Sequence, residues 1–381
     1  MSRPSHTMAA LCVVAVSAVT LSVFPASASP SADPSKPAPA RTAAPSDSVG
    51  AIKDRAAQSI AAALKATGWR AGLSTAALAS PEVDLRELLT APTLGSPALK
   101  QEMNKADRDL ARAKGLSGHT TGLLQIRLGD PSMRAALRAS AQPWVAAAPD
   151  DDTAGQLVAY DPQGGVHKLD AEKVPTHPVY VIDIDGERAV SAGMQVLSDE
   201  LSARGVLTTS AKPTRTAAPG FWSSRIKSVR LTDDEEPWTK GDAEIYSLVA
   251  GFGQDGKVRV DPVDMPYLDE DEKTYSPNQI LVNWSNYKYD LADVVMMEED
   301  GSTNYKALAT AIADALLTIV DLGAFVPMAN AVLGAIPDDW WTDGPDYVES
   351  WYTLARSANG PANGARGNGT MTLEPYWVAA S

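Results

Sequence analysis

The chain has 381 residues, a net charge of −14 and one cysteine, Cys12. That acidity argues against nucleic acid and anionic membranes as partners, and one cysteine excludes a disulfide-stapled scaffold. The sequence contains neither an H-E-x-x-H zinc motif nor a P-loop or dinucleotide-binding glycine fingerprint.

Residues 1–28 read as a signal peptide. Arg3 and His6 open it, an apolar stretch runs from Met8 to about Phe24, and Ala26-Ser27-Ala28 is a small-x-small cleavage signature. Under about 20 apolar residues with no basic stop-transfer cluster is marginal for a membrane anchor. Cys12 lies early in this stretch behind Ala9-Ala10-Leu11, which is not a lipoprotein-type box. The expectation is a secreted, extracellular protein cleaved near Ala28, with no integral membrane span in the mature chain. Residues 29–48 are nearly all Ser, Pro and Ala, the composition of a flexible spacer.

Residues 49–215 are expected to form an α+β domain. Ile52, Ala56, Ile60, Ala63 and Leu64 recur at three- and four-residue intervals, which predicts an amphipathic helix over 50–66 ended by Gly68. Shorter helices are expected over 81–89, 98–114 and 131–139. Gln156–Tyr160 and Val166–Leu169 flank Asp161-Pro162-Gln163-Gly164-Gly165, the grammar of a hairpin. The run 178–184 reads as a strand stopping at a turn at Gly186. The Pro/Thr/Ala-rich stretch from Thr208 to Gly220 marks a domain boundary.

Residues 216–381 change composition. Seven of nine tryptophans and nine of eleven tyrosines fall after residue 220, and 233–300 holds eighteen Asp and Glu against five Lys and Arg. Strands are expected over 225–231, 242–249, 279–284, 293–297, 347–354 and 370–374. One helix interrupts them: Tyr305, Leu308, Ile312, Ala315, Leu316 and Ile319 keep helical spacing, with Asn304 as N-cap.

Acids gathered at strand ends are what calcium requires, since it takes six to eight oxygens from several loops. The candidate metal ligands are Asp233, Asp234, Glu235, Glu299 and Asp300, with Asp338, Asp339 and Asp343 as a second group. The bland alternative is that each run is a solvated turn, because turns favour Asp. Trp340, Trp341, Trp351 and Tyr352 are either a stacking platform for a glycan or peptide ligand or part of the core. The mature chain keeps His119, His167 and His177, and Gly115-Leu116-Ser117-Gly118-His119 lacks the spacing of a nucleophile elbow.

Several runs carry a resemblance. Asp233-Asp234-Glu235-Glu236-Pro237-Trp238, Gly241 to Tyr246, Asp264 to Asp269, Pro277 to Ile280, Glu299-Asp300 before Asn304-Tyr305, Asp346 to Val348, Tyr352 to Leu354, and Ala159-Tyr160-Asp161 are similar to a bacterial secreted family, domain of unknown function 3103. The resemblance covers about 50 to the end and implies export and a bacterial source, but no activity. The run Lys240 to Tyr246 also resembles the second strand of calcium-binding C2 domains, from which phospholipid binding does not follow.

The fold expected is therefore α+β: an N-terminal mixed α/β domain, then a C-terminal antiparallel β-sandwich with one inserted helix. The function expected is a non-enzymatic, calcium-binding secreted protein. The alternative is an exported hydrolase of glycans or peptides that uses loop carboxylates as catalysts.

Overall fold

The computed structural model describes residues 48–91, 94, 96–150, 154–207, 220–233, 238–241, 243–299, 301–336 and 347–379. The residues read as a signal peptide and nearly all of those read as a spacer lie outside these residues, as does the boundary expected at 215.

The first part runs α1 (Val49–Ala63), α2 (Thr67–Ala79), β1 (Glu82–Asp84), α3 (Leu85–Leu88), α4 (Pro97–Ala113), β2 (Leu124–Leu128), α5 (Arg134–Arg138), β3 (Trp144–Ala147), β4 (Gln156–Tyr160), β5 (Val166–Asp170), β6 (Val179–Ile184) and α6 (Gly186–Ala203). Its strands form one sheet in the order β1-β2-β6-β3-β4-β5, in which only β3 and β6 pair in parallel. The hairpin β4–β5 stands where it was expected.

Three expectations fail here, the first being that the helix expected over 81–89 opens as strand β1, paired with β2, and is helical only over Leu85–Leu88. Gly68 does not end a helix: α1 stops at Ala63 and Gly68 lies in the first turn of α2, which buries Trp69, Leu73 and Ala77. Asp185-Gly186 is not a turn after a strand but the start of α6. The Asp185 carboxylate accepts the Arg188 N–H at 2.9 Å, which makes it an N-cap. The apolar spacing behind it (Ala189, Val190, Gly193, Val196, Leu197, Leu201) is the inward face.

The second part runs β7 (Gly220–Leu231), β8 (Ile245–Phe252), β9 (Val258–Asp264), β10 (Thr274–Tyr275), β11 (Gln279–Asn283), β12 (Leu291–Glu298), α7 (Tyr305–Leu316), α8 (Ala329–Leu333), β13 (Tyr347–Ala355), β14 (Gly360–Asn363) and β15 (Gly369–Ala379). One sheet is ordered β10-β7-β15-β14, with β11 also on β7; the other is β13-β12-β8-β9. The α+β class and the two-sheet sandwich are as expected. The inserted helix is α7, and the Asn304 side chain caps it by accepting the Ala307 N–H at 3.0 Å.

Every residue of β8 is buried, because its sheet is covered on both sides. Ile245 and Val249 face the sandwich core with Ile226, Val294, Trp351 and Leu373. Tyr246, Leu248, Ala250 and Phe252 face the other way, into a larger cluster with α1, α6, α7 and the first sheet. A strand buried on both faces loses its apolar–polar alternation. That cluster draws residues from both sides of 215.

Candidate functional site

Of the eight acids nominated as metal ligands, Asp234, Glu235, Asp300, Asp338, Asp339 and Asp343 lie outside the described residues. Asp233 is exposed just after β7, where its N–H donates to Asn368 Oδ1 at 3.0 Å and its carbonyl accepts from Asn368 Nδ2 at 2.8 Å. Glu299 is buried at the end of β12. It ion-pairs with the Lys114 ammonium and accepts the Tyr305 hydroxyl. Among the described residues no group of three or more His, Cys, Asp or Glu side chains is placed to hold a metal ion.

Other acids are spent on the backbone. Glu349, fully buried, accepts the N–H groups of Ser350 and Arg366 on one oxygen and those of Asn368 and Gly369 on the other, at 2.7–2.9 Å. Asp293 accepts from Met328, Ala329 and Thr353. Asp107 accepts from Gly122, Leu123 and Leu124. Each satisfies main-chain donors that a tight connection would otherwise leave buried and unpaired. The acid content of this chain is thus partly a device for ordering loops.

Charged groups converge at the carboxyl ends of the parallel pair β3 and β6, where open sheets tend to place their clefts. Lys53 enters from the buried face of α1 at 1 % side-chain exposure, 3.0 Å from Asp150 and 3.6 Å from Asp183. Burial works against its charged form, and the two carboxylates more than offset it, so its pKa is raised. Asp150 also accepts the Gly50 N–H at 2.6 Å. Lys114, fully buried, donates to the Gly301 carbonyl at 3.0 Å. Burial and then the charge of Glu299 hold the Tyr305 phenol well above its usual range.

Lys53, Glu82, Asp183, Lys240, Glu244 and Glu299 line a cleft of about 30 Å³ here. That is room for about one or two waters. The Glu244 carboxylate lies over the start of α6, and a Cβ on Gly186 would come within 2.2 Å of it. The positive end of that helix is therefore already served by the protein's own anion. Sequence reasoning missed Lys53 and Lys114. The signal for Lys53 was present, since position 53 shares the apolar stripe of 52, 56 and 60.

The expected aromatic platform resolves differently. Trp340 and Trp341 lie outside the described residues, Trp351 is in the sandwich core, and the exposed Tyr352 donates its hydroxyl to Asn330 Oδ1 at 2.8 Å. Exposed aromatics gather instead at the far end of the β7–β15 ribbon. Trp222 (43 % exposed) stands opposite Trp377 (38 %), with ring centroids 5.4 Å apart and planes at 67°. On the other face of the ribbon the Arg225 guanidinium lies 3.9 Å over the exposed Tyr376 ring, and its Nε donates to Glu374 at 2.9 Å. None of Trp222, Tyr376 or Trp377 packs into either hydrophobic cluster.

Two of the three histidines pack on one indole. His167 stacks on Trp144 at 3.8 Å and lies 2.9 Å from Asp161, while His177 covers the same indole at 4.0 Å.

Fold and site together describe an α+β protein in which Lys53, Lys114, Glu299 and Glu349 are paired internally and in which Trp222, Tyr376 and Trp377 stand exposed on a β-ribbon. The chain belongs to a family described as protein of unknown function (DUF3103), which matches residues 56–381. No curated protein and no solved structure matches it.

Proposed function

We propose that this is an exported, non-enzymatic binding protein that takes glycans on the Trp222–Trp377 ribbon. The observation that carries the reading is this tryptophan pair. Large aromatic surface is costly to leave in water, and here it is held rigidly on paired strands without serving either core. Flat indole faces suit the apolar C–H faces of sugar rings. Export is supported by the leader pattern over Met8 to Ala28. The convergent acids favour no catalytic role: Asp183 and Glu299 face lysines, and their cleft of about 30 Å³ is far smaller than a sugar ring.

The test is binding of cello- and chito-oligosaccharides and of insoluble polysaccharides, with Trp222→Ala and Trp377→Ala as probes. Expected is loss of binding by about tenfold or more, about 1.4 kcal/mol per decade, with the melting temperature unchanged. Binding unaltered in both variants, or no binding to any glycan offered, would overturn the reading.

Calcium at the acidic loops is the second reading, favoured by the eighteen acids between 233 and 300. It would rest on Asp233 and on acids outside the described residues. A melt in chelator and then in millimolar calcium tests it. Saturation at about 100 times the dissociation constant adds ~2.7 kcal/mol, and a melting temperature that does not rise would sink it.

A further inference from the structure

We propose that a second cleft, independent of the aromatic ribbon, binds the carboxylate of a small organic ligand. It measures about 220 Å³ and is walled by Pro81, Leu128, Gly129, Pro131 and Trp238, with Arg127, Arg134 and Gly241 on its surface. Arg127 sits near the end of β2, where all five residues are buried, and is itself only 6 % exposed.

Its Nη1 donates to the Gly129 carbonyl and its Nη2 to the Trp238 carbonyl, each at 3.2 Å. These two bonds fix the guanidinium plane. Arg127 Nε is buried with no hydrogen-bond partner, as is Trp238 Nε1. Arg127 Nε faces Gly241 on the cleft wall, 3.4 Å from where a Cβ would stand. Gly129 also makes room, since a Cβ there would lie 2.9 Å from the Trp238 ring.

Two residues that line the cleft thus carry buried N–H donors without acceptors, beside the half-buried Arg134, whose Nη1 donates to the Leu78 carbonyl at 3.4 Å. Buried donors of this kind mark a missing acceptor. The acids on the rim do not supply it: Asp130 accepts the Ser132 N–H at 2.7 Å and Glu82 is near Gln125 Nε2. A guanidinium edge matches a planar carboxylate in geometry and charge. The apolar walls then favour an organic acid over a bare inorganic anion. That acid is either free or the carboxyl end of a peptide chain, since both present the same group.

Calorimetric titration of the full chain with acetate, tri-alanine, tri-alanine amide and inorganic phosphate separates these sources. Expected is binding of tri-alanine, acetate or both, with the amide at least tenfold weaker than tri-alanine if the chain end is the ligand. Arg134→Gln should weaken that binding about tenfold. Trp238→Phe, which keeps the wall and removes only the N–H, should weaken it about three- to tenfold. Arg127→Lys should abolish it, and the other two variants keep the test valid if that one does not fold. Phosphate binding without carboxylate binding would overturn the proposal. So would carboxylate binding indifferent to Arg134→Gln and Trp238→Phe, or no heat with any of the four.

Discussion

Lys53→Met removes one ammonium and keeps nearly all of the stem. At 1 % exposure, 3.0 Å from Asp150 and 3.6 Å from Asp183, Lys53 is the counter-ion of two carboxylates that exclude most water. Breaking a buried pair from one side costs ~3–5 kcal/mol, because the remaining charge is stranded. Asp150 is 29 % exposed and Asp183 12 %, so partial rehydration places the expected loss near the lower end, ~3 kcal/mol. At ~2 °C per kcal/mol for a chain of this size, the midpoint falls by about 6 °C. Urea unfolding at pH 7, followed by tryptophan fluorescence, measures it. A loss under about 1 kcal/mol would refute the claim that the carboxylates need this cation. The pH dependence has a definite sign. The Lys53 pKa is raised above 10.5 in the fold, so its stabilisation is full below 10.5 and disappears as pH climbs through the folded value. The difference between wild type and variant should be flat around neutrality and shrink in alkali. Adding Asp183→Asn to the variant should recover part of the loss, since the two positions share one interaction.

Three further outcomes are expected. Glu349→Gln turns one acceptor oxygen into a donor facing two of the four N–H groups it now satisfies, which should cost ~2–4 kcal/mol in unfolding experiments; a change under ~0.5 kcal/mol would show the loop holds without the carboxylate. Gly193→Ala should destabilise despite a gain of ~1 kcal/mol in helix propensity. Its Cβ would lie 2.2–2.4 Å from the Tyr305 ring, and overpacking a core costs ~1–3 kcal/mol; a rise in melting temperature would mean the ring moves aside freely. Burial, with a smaller contribution from His167, depresses the His177 pKa below 6.5. Stability is therefore full above 6.5 and falls as pH drops through the folded value, because the unfolded chain takes the proton first. Urea midpoints between pH 5 and 7 should show that slope reduced in His177→Gln, and an unchanged slope would assign it elsewhere.

Local chemistry was legible wherever it was local in origin. Helix α1 followed from its apolar spacing, α7 from its spacing and the Asn304 cap, and the β4–β5 hairpin from its Asp-Pro-Gln-Gly-Gly turn. The element most clearly misread was α6. Asp185-Gly186 has the letters of a turn, and only the cap bond to Arg188 with the packing of Gly193 against Tyr305 makes it a helix start. Strands β2, β3 and β9 were not anticipated either: β2 is buried along its whole length, and β9 directs Val258 and Val260 into the larger cluster. Without exposed positions a strand shows little of the period-two pattern by which strands are read.

The acids separate what a sequence determines from what a fold decides. Composition alone established that charge concentrates after residue 233 and that aromatics follow it. Whether a given carboxylate meets solvent, a lysine or the backbone depends on partners brought from far along the chain. Glu299 meets Lys114, Asp183 meets Lys53, and Glu349 meets the N–H groups of 366, 368 and 369. Trp351 and Trp377 are the same residue type on neighbouring strand-rich segments, yet one fills the sandwich core and the other stands in water at a ribbon end. Side-chain chemistry and helical spacing are properties of short segments, so they survive in the string of residues. Burial and ion pairing are properties of surfaces that meet only when the sheets and helices close on one another.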